Sequence, residues 1–412
     1  MSVALHCALS DPYLDTHQAA SQRQLAISIQ VVEADDLGHA PLNLGLILDH
    51  SGSMNGRPLS TVKEAAERLV DQLSEQDVLS VVVFDHQAKV LLPLQPVSDR
   101  EAIKRQIAML KASGGTAIDE GLKLGIEASA KGRQGKVSHL FLLTDGENEH
   151  GDNRRCLKLA QVASEYTLTL NTLGFGDHWN QDVLEQIADA GSGTLSYIEA
   201  PEAAVTEFNR LLVRAQSVFF TNAYLHLRLL PGVRLAELKP IAQVAPETVE
   251  LTYLQEGDNI TVRLGDLMSE TPRVVLANLY ISVQEEGRLP IAEASVHYDA
   301  PAIDQTDLQS EMTTVVLTAQ STYQASPDQT VQKHVLTLAK YRQTQIAEQK
   351  LAQGDRQGAA TLLQSAAKTA LQMGDNGAAT VLQENATRLQ AGEELSERDR
   401  KRTRIVSKTT LQ

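Results

Sequence analysis

Leu44-Gly-Leu-Ile-Leu-Asp49-His-Ser51-Gly-Ser53 is the stretch from which the rest of this chain is read. Its first half is a nearly unbroken apolar run, which suits a strand buried on both faces of a parallel sheet. Its second half changes abruptly to aspartate, serine and glycine, so oxygen donors sit where that strand ends. Downstream, residues 58–74 carry Leu59, Val62, Ala66, Leu69, Val70 and Leu73 at helical spacing. Residues 78–84 are β-branched and apolar, the composition of a second strand. Residues 88–94 follow a tight connection and pair antiparallel at the sheet edge.

The same alternation continues outward. Residues 99–110 and 118–130 read as helices, 137–143 as a strand, 153–166 as a helix and 167–175 as a strand. Helix, strand and helix follow at 182–190, 193–198 and 201–214. Such alternation specifies a mostly parallel, doubly wound α/β sheet with helices on both faces, here spanning residues 41–216.

On either side the period changes. Residues 224–230, 248–254, 260–264 and 273–283 alternate as strands, separated by turn signals at Pro231-Gly232, Gly257-Asp258-Asn259 and Glu286-Gly287. Residues 24–32 also alternate and have no partner in the α/β unit. A flanking β-sandwich at 217–300, completed by strands from residues 1–40 and with the α/β domain inserted between, accounts for both. Residues 301–325 read as a polar linker and 326–395 as a bundle of three helices. That bundle opens at Ser326-Pro327-Asp328 and breaks at Gly354-Asp355 and Gly374-Asp375. A basic, threonine-rich tail occupies 396–412.

Three segments hold the chemistry: Asp49-His-Ser51-Gly-Ser53, Gly114-Gly-Thr116-Ala-Ile-Asp119 and Leu142-Leu-Thr-Asp145-Gly146. Two close buried strands and one opens a helix. In an open α/β sheet those positions converge on the carboxyl rim. They offer carboxylates and hydroxyls without a thiolate, a set of hard oxygen donors suited to Mg²⁺ or Mn²⁺. Hydroxyls add oxygen without adding charge, so a bound ion keeps affinity for an outside oxygen.

In this order and spacing the segments resemble the metal-ion-dependent adhesion site of von Willebrand factor A domains, and the chain resembles bacterial intracellular members of that family. The resemblance implies that Ser51, Ser53 and Thr116 hold the ion directly or through water and that Asp49 and Asp145 act mostly through water. It also implies a protein partner that supplies a carboxylate to the metal, and a scaffold or adaptor role without catalysis. Other roles stay open: a subunit of a MoxR-type or chelatase-like AAA+ ATPase machine, a component of a Ser/Thr kinase–phosphatase signalling system, an extracellular adhesin, or a metal-dependent hydrolase.

His50, His150, His178 and Trp179 fall near the rim and are candidate partner contacts. His50 beside Ser51 and Asp49 is no triad, because adjacent residues in a tight turn do not align nucleophile, base and orienter. No Gly-x-Gly-x-x-Gly or Walker sequence occurs, so nucleotide binding has no support. A net charge of −15 disfavours nucleic acid and anionic membranes. No run of about 18 apolar residues is present to span a bilayer. Two isolated cysteines, Cys7 and Cys156, and no evident secretory signal make the cytoplasm the expected compartment. The tail reads either as a solvated end or as a substrate phosphorylated at Thr403, Thr409 or Thr410 and recognised by an FHA-type phosphothreonine module.

Overall fold

The computed structural model describes residues 2–32, 40–269, 271–282 and 285–409. Three strands come first: β1 (Ser2–Leu9), β2 (Tyr13–Asp15) and β3 (Ser21–Val32). The α/β unit then runs β4 (Leu42–Asp49), α1 (Arg57–Gln72), β5 (Val78–Phe84), β6 (Ala88–Pro96), α2 (Arg100–Ala108), α3 (Ile118–Ser129), β7 (Val137–Thr144), α4 (Asn153–Glu165), β8 (Thr169–Phe175), α5 (Gln181–Ala190), β9 (Ser192–Ile198) and α6 (Ala204–Gln216).

Its sheet has the order β6-β5-β4-β7-β8-β9, parallel except for the edge strand β6. The pleat of β4 sends Leu44, Leu46 and Leu48 into a core shared with α1, α2 and α6. Ile47 points the other way, to α3, α4 and α5. This two-sided burial is why the run at residues 44–48 has no polar alternation. Helix α3 lies unusually close to β4 and β5. A Cβ on Gly121 would stand 2.6 Å from the Phe84 ring, and one on Gly125 would stand 2.3 Å from Ile47 Cδ1. That close approach presses the start of α3, and Thr116 just before it, against the strand ends.

Ten strands follow: β10 (Val218–Leu229), β11 (Val233–Leu235), β12 (Ile241–Ala245), β13 (Val249–Glu250), β14 (Tyr253–Glu256), β15 (Asn259–Met268), β16 (Arg273–Ile281), β17 (Gly287–Ala300), β18 (Gln305–Gln309) and β19 (Thr313–Gln320). One sheet is ordered β1-β3-β16-β12-β13 and the other β14-β15-β10-β17-β19-β2, with β11 and β18 attached to β16 and β17. They share one apolar core, the hallmark of a sandwich. β3 joins it through β16, with Leu25 opposite Ala277.

The stretch expected to be a linker, 301–325, differs. β19 lies within it, antiparallel to β17, with Val315, Leu317 and Ala319 buried. The period-2 pattern was present there, and only about residues 321–328 connect to the helices.

The stretch expected as a three-helix bundle, 326–395, holds three helices, α7 (Gln329–Ala352), α8 (Arg356–Gln372) and α9 (Asn376–Gln390), and the described part of the expected tail forms a further helix, α10 (Glu397–Lys408). The α7 cap is Asp328, accepting from the backbone N–H groups of Thr330 and Val331, rather than Ser326. Asp355 and Asp375 cap α8 and α9 in the same way. The basic tail is helix α10, and it is docked rather than solvated. Lys408 Nζ meets Glu185 at 2.7 Å and Asp189 at 2.9 Å, and Arg404 Nε meets Glu185 at 2.6 Å. Lys340, fully buried, donates to Asp375 at 3.0 Å and to the carbonyls of Val406 and Thr409. No helix among the described residues is long and apolar enough to cross a membrane.

Candidate metal centre

β4 and β7 are neighbours at the point where the sheet order turns, so their carboxyl ends bring Asp49 and the Thr144-Asp145-Gly146 segment together. The Thr144 hydroxyl donates to Asp49 Oδ2 at 2.6 Å, and the Ser51 amide to Asp49 Oδ1 at 2.8 Å. Asp49 is thereby fixed as the post of the first loop. The Gly52 amide donates to the Gly114 carbonyl at 2.9 Å, tying the first loop to the second. The His150 amide donates to the Thr116 carbonyl at 2.9 Å, tying the second to the third. Loops fastened in this way present side chains with little freedom left to lose.

The side-chain oxygens then meet. Ser51 Oγ and Ser53 Oγ lie 3.0 Å apart, and the Ser53 hydroxyl donates to Asp145 Oδ1 at 2.7 Å. Thr116 Oγ1 is 3.2 Å from the position a Cβ would take on Gly146, so the third loop passes directly beside it. All five sequence-predicted oxygen residues therefore share one rim. Asp49, Ser51 and Thr116 are buried, and Ser53 faces outward.

Charge at the rim is poorly compensated. Burial pushes the Asp49 carboxyl up to about 6, against the opposing pull of the Thr144 and Ser51 hydrogen bonds. Burial also raises Asp145. Neither carboxylate has a lysine or arginine partner among the described residues. A cation placed there would relieve both, and the donors fit one: they are all oxygen, and two of the three hydroxyls already stand in contact. Among the described residues there is no cluster of three His, Cys, Asp or Glu side chains able to hold a metal. The oxygen site therefore stands apart from any zinc-type arrangement.

The other expected rim residues divide. His150 is exposed and lies over Gly115, whose Cβ would stand 2.3 Å from the ring. His178 is exposed and close enough to Asp145 to offset a little of the rise that burial causes. His50 is buried, with Nδ1 2.9 Å from the Lys111 carbonyl, which leaves it a role in loop support. Trp179 is buried, which corrects the expectation that it contacts a partner. It is 3% exposed, its indole N–H donates to the Gly176 carbonyl at 2.7 Å, and the Lys401 ammonium lies 4.2 Å from a ring centroid. A Cβ on Gly174 would stand 2.2 Å from that indole, so Gly174 is the seat of Trp179. Thr144 is the site residue that sequence reasoning passed over, although it stands beside Asp145 in the quoted segment.

The tail threonines are also corrected. Thr403 is 3% exposed, receives a hydrogen bond from Asn385 at 2.6 Å and donates to the Asp399 carbonyl. A kinase has no access to it in this packing. Thr409 is exposed but bridges Glu247 through its backbone, and Thr410 lies outside the described residues.

A doubly wound sheet whose turning point carries this oxygen rim defines a von Willebrand factor type A domain, and residues 43–210 match that family. Residues 329–412 match the Sll0103-like, C-terminal alpha-helical domain. The chain belongs to the Sll0103-like family of von Willebrand factor A proteins: it is 58% identical over 412 residues to "Uncharacterized protein sll0103" of Synechocystis sp., covering 100% of this chain and 98% of that one. In fold it is similar to a von Willebrand factor type A protein from Catenulispora acidiphila, with TM-score 0.82 at 17% identity, over 100% of this chain and 98% of that one. It is also similar to the ArnB paralog VWA2 from Sulfolobus acidocaldarius, with TM-score 0.59 at 16% identity, over 99% of both chains. Von Willebrand factor A domains mediate protein–protein interactions.

Proposed function

We propose that this protein is a divalent-metal-dependent adaptor, which binds Mg²⁺ or Mn²⁺ at the rim and through it an acidic side chain of a partner protein. The observation that carries this reading is the Ser51–Ser53–Asp145 chain of oxygens beside Thr116 and Asp49, with one buried and one half-buried carboxylate and no lysine or arginine against either among the described residues. Ser51, Ser53 and Thr116 would contact the ion, and Asp49 and Asp145 would act mainly through its waters. The ion supplies an electrophilic position that a partner carboxylate completes. His150 and His178, exposed beside the donors, then contact the partner.

Catalysis is not part of the proposal. The imidazole within the donor loop, His50, is engaged below the rim. Burial also pushes the Cys7 thiol up to about 11 and the Cys156 thiol up to about 12, away from any nucleophilic thiolate. Both cysteines are free, which supports a reducing compartment such as the cytoplasm. An AAA+ ATPase remains a candidate partner class, to be read from what the rim captures. An FHA-type module needs a threonine outside the docked part of α10, which leaves Thr409 or Thr410.

Calorimetric titration of Mg²⁺ and Mn²⁺ into wild type, Ser53→Ala and Thr116→Val tests the metal. Affinity purification of the same proteins in Mg²⁺ or EDTA tests the partner. Saturable metal binding weakened at least tenfold in both variants, with partners lost in EDTA, is the expected result. Partners retained in EDTA and in both variants would overturn the metal bridge.

A further inference from the structure

A cavity of about 470 Å³ opens between the α/β unit and the sandwich, away from the metal rim. Its walls come from α4, α5 and β9 on one side and from β12, β13 and β15 on the other, with Arg214, Arg263 and Arg273 among the lining residues. Arg273 is 8% exposed, yet it makes no salt bridge among the described residues. It donates from Nη1 to the Gln243 side-chain oxygen and from Nη2 to the Asp266 carbonyl at 2.7 Å. Arg263 is similarly held by neutral acceptors: the Tyr224 hydroxyl at 2.6 Å, the Ser164 carbonyl at 2.5 Å and Ser192 Oγ at 3.4 Å.

The carboxylates nearby are already engaged. Glu247 pairs with Arg214 at 3.1 Å, Glu250 with Arg342 at 2.8 Å and Asp189 with Lys408 at 2.9 Å. Asp266 is held by His139 at 3.0 Å and by the Thr169 hydroxyl at 2.6 Å. Two guanidiniums thus face one cavity without a contacting counter-ion, and each has more N–H groups than its bonds use. A buried charge left without a contacting partner is costly. Burial, and then the Arg214 charge, lower the Arg273 pKa to about 10, while the more distant Asp266 and Glu247 carboxylates pull it back up without contacting the guanidinium.

We propose that this interdomain cavity binds the phosphate group of a small molecule between Arg263 and Arg273. Planar guanidinium forks match the oxygens of a tetrahedral anion, and the Thr252 hydroxyl on the wall adds a further donor. The volume exceeds that of free phosphate and leaves room for an organic body against Leu157, Val249 and Leu264. Because both halves of the chain supply an arginine or a wall, occupancy would tighten the α/β unit onto the sandwich.

The test is calorimetry on the full-length protein in EDTA, at constant ionic strength set with chloride. Inorganic phosphate and glycerol 3-phosphate are titrated into wild type, Arg273→Gln and Gln161→Glu. Gln161 is exposed on the cavity lip, so a carboxylate there repels the ligand without disturbing the core. Saturable binding, lost in Arg273→Gln and at least tenfold weaker in Gln161→Glu, is expected. Tighter binding of the ester identifies an organic phosphate as the occupant, and equal binding identifies the free ion. If Arg273→Gln fails to fold, Gln161→Glu alone decides. No saturable heat in wild type, or unchanged affinity in Gln161→Glu, would overturn the proposal and leave the arginines as interdomain ties.

Discussion

Two acidic regions of this molecule are handled in opposite ways. At the strand-end rim, Asp49 and Asp145 meet hydroxyls and amides and receive no lysine or arginine. At the seam between α5 and α10, Glu185, Asp182 and Asp189 are met by Arg404 and Lys408, and Glu199 by Arg398 and Arg402. Each set holds a buried carboxylate, Asp49 at the rim and Glu185 at the seam, that is costly to ionise alone. The difference is who supplies the cation. The seam is complete within one chain and is therefore structural. Among the described residues the rim has no such counter-ion, which is why we propose that it takes a cation from outside.

Freeing α10 from its helical neighbours, behind the seam, is expected to have the largest effect. Lys340→Ala removes the ammonium that serves Asp375 and the last carbonyls of α10, leaving three acceptors without their donor. A loss of about 3–5 kcal/mol in urea unfolding is expected, the usual cost of removing one partner from a buried pair. A loss below about 1 kcal/mol would mean α10 is not locked down. Glu185→Gln comes next, at about 2 kcal/mol, because it strips two cations of a shared carboxylate whose side chain is 5% exposed.

The rim should respond in the reverse sense. In EDTA, Asp145→Asn is expected to leave stability unchanged or raise it by up to about 1 kcal/mol, since burial disfavours the carboxylate it replaces. With Mg²⁺ at about a hundred times its Kd, wild type should gain about 2.7 kcal/mol and the variant should gain far less. Thermal unfolding with and without Mg²⁺ measures both. Equal destabilisation at seam and rim in EDTA would erase the contrast.

Glu348 gives the smallest and most pH-dependent effect. It faces Arg404 at 3.5 Å, but burial, aided by Glu185 and Asp182, pushes its carboxyl up to about 7. A raised carboxyl favours the folded state below its ordinary pKa, and that contribution fades as pH climbs through the folded value. Glu348→Gln, which copies the protonated form, should match wild type at pH 5 and exceed it by about 1 kcal/mol at pH 8. Lower stability at pH 8 would instead make Glu348 a working counter-ion of Arg404.

Much of the α/β unit was legible because its elements are long and their periods are unmixed. The continuous run of β4 and the spaced apolar positions of α1 each allow one packing. The rim was legible because its donors are local to three strand ends or helix starts, and α/β topology brings such places together. β19 was missed because polar residues on both sides masked a short alternation. Thr144 was missed because a threonine at a strand end reads as strand until its hydroxyl is seen on Asp49.

The sequence by itself determined the order of elements in the α/β unit, its doubly wound sheet and the five oxygen residues, since period and strand-end chemistry are written within a few residues of each other. Only the tertiary structure decided the fate of the tail and the burial of Trp179 beneath Lys401. Each of these depends on charges far apart in the chain. A run of lysines and arginines looks the same whether water or a buried glutamate neutralises it, and only the packed fold brings Glu185 to Lys408.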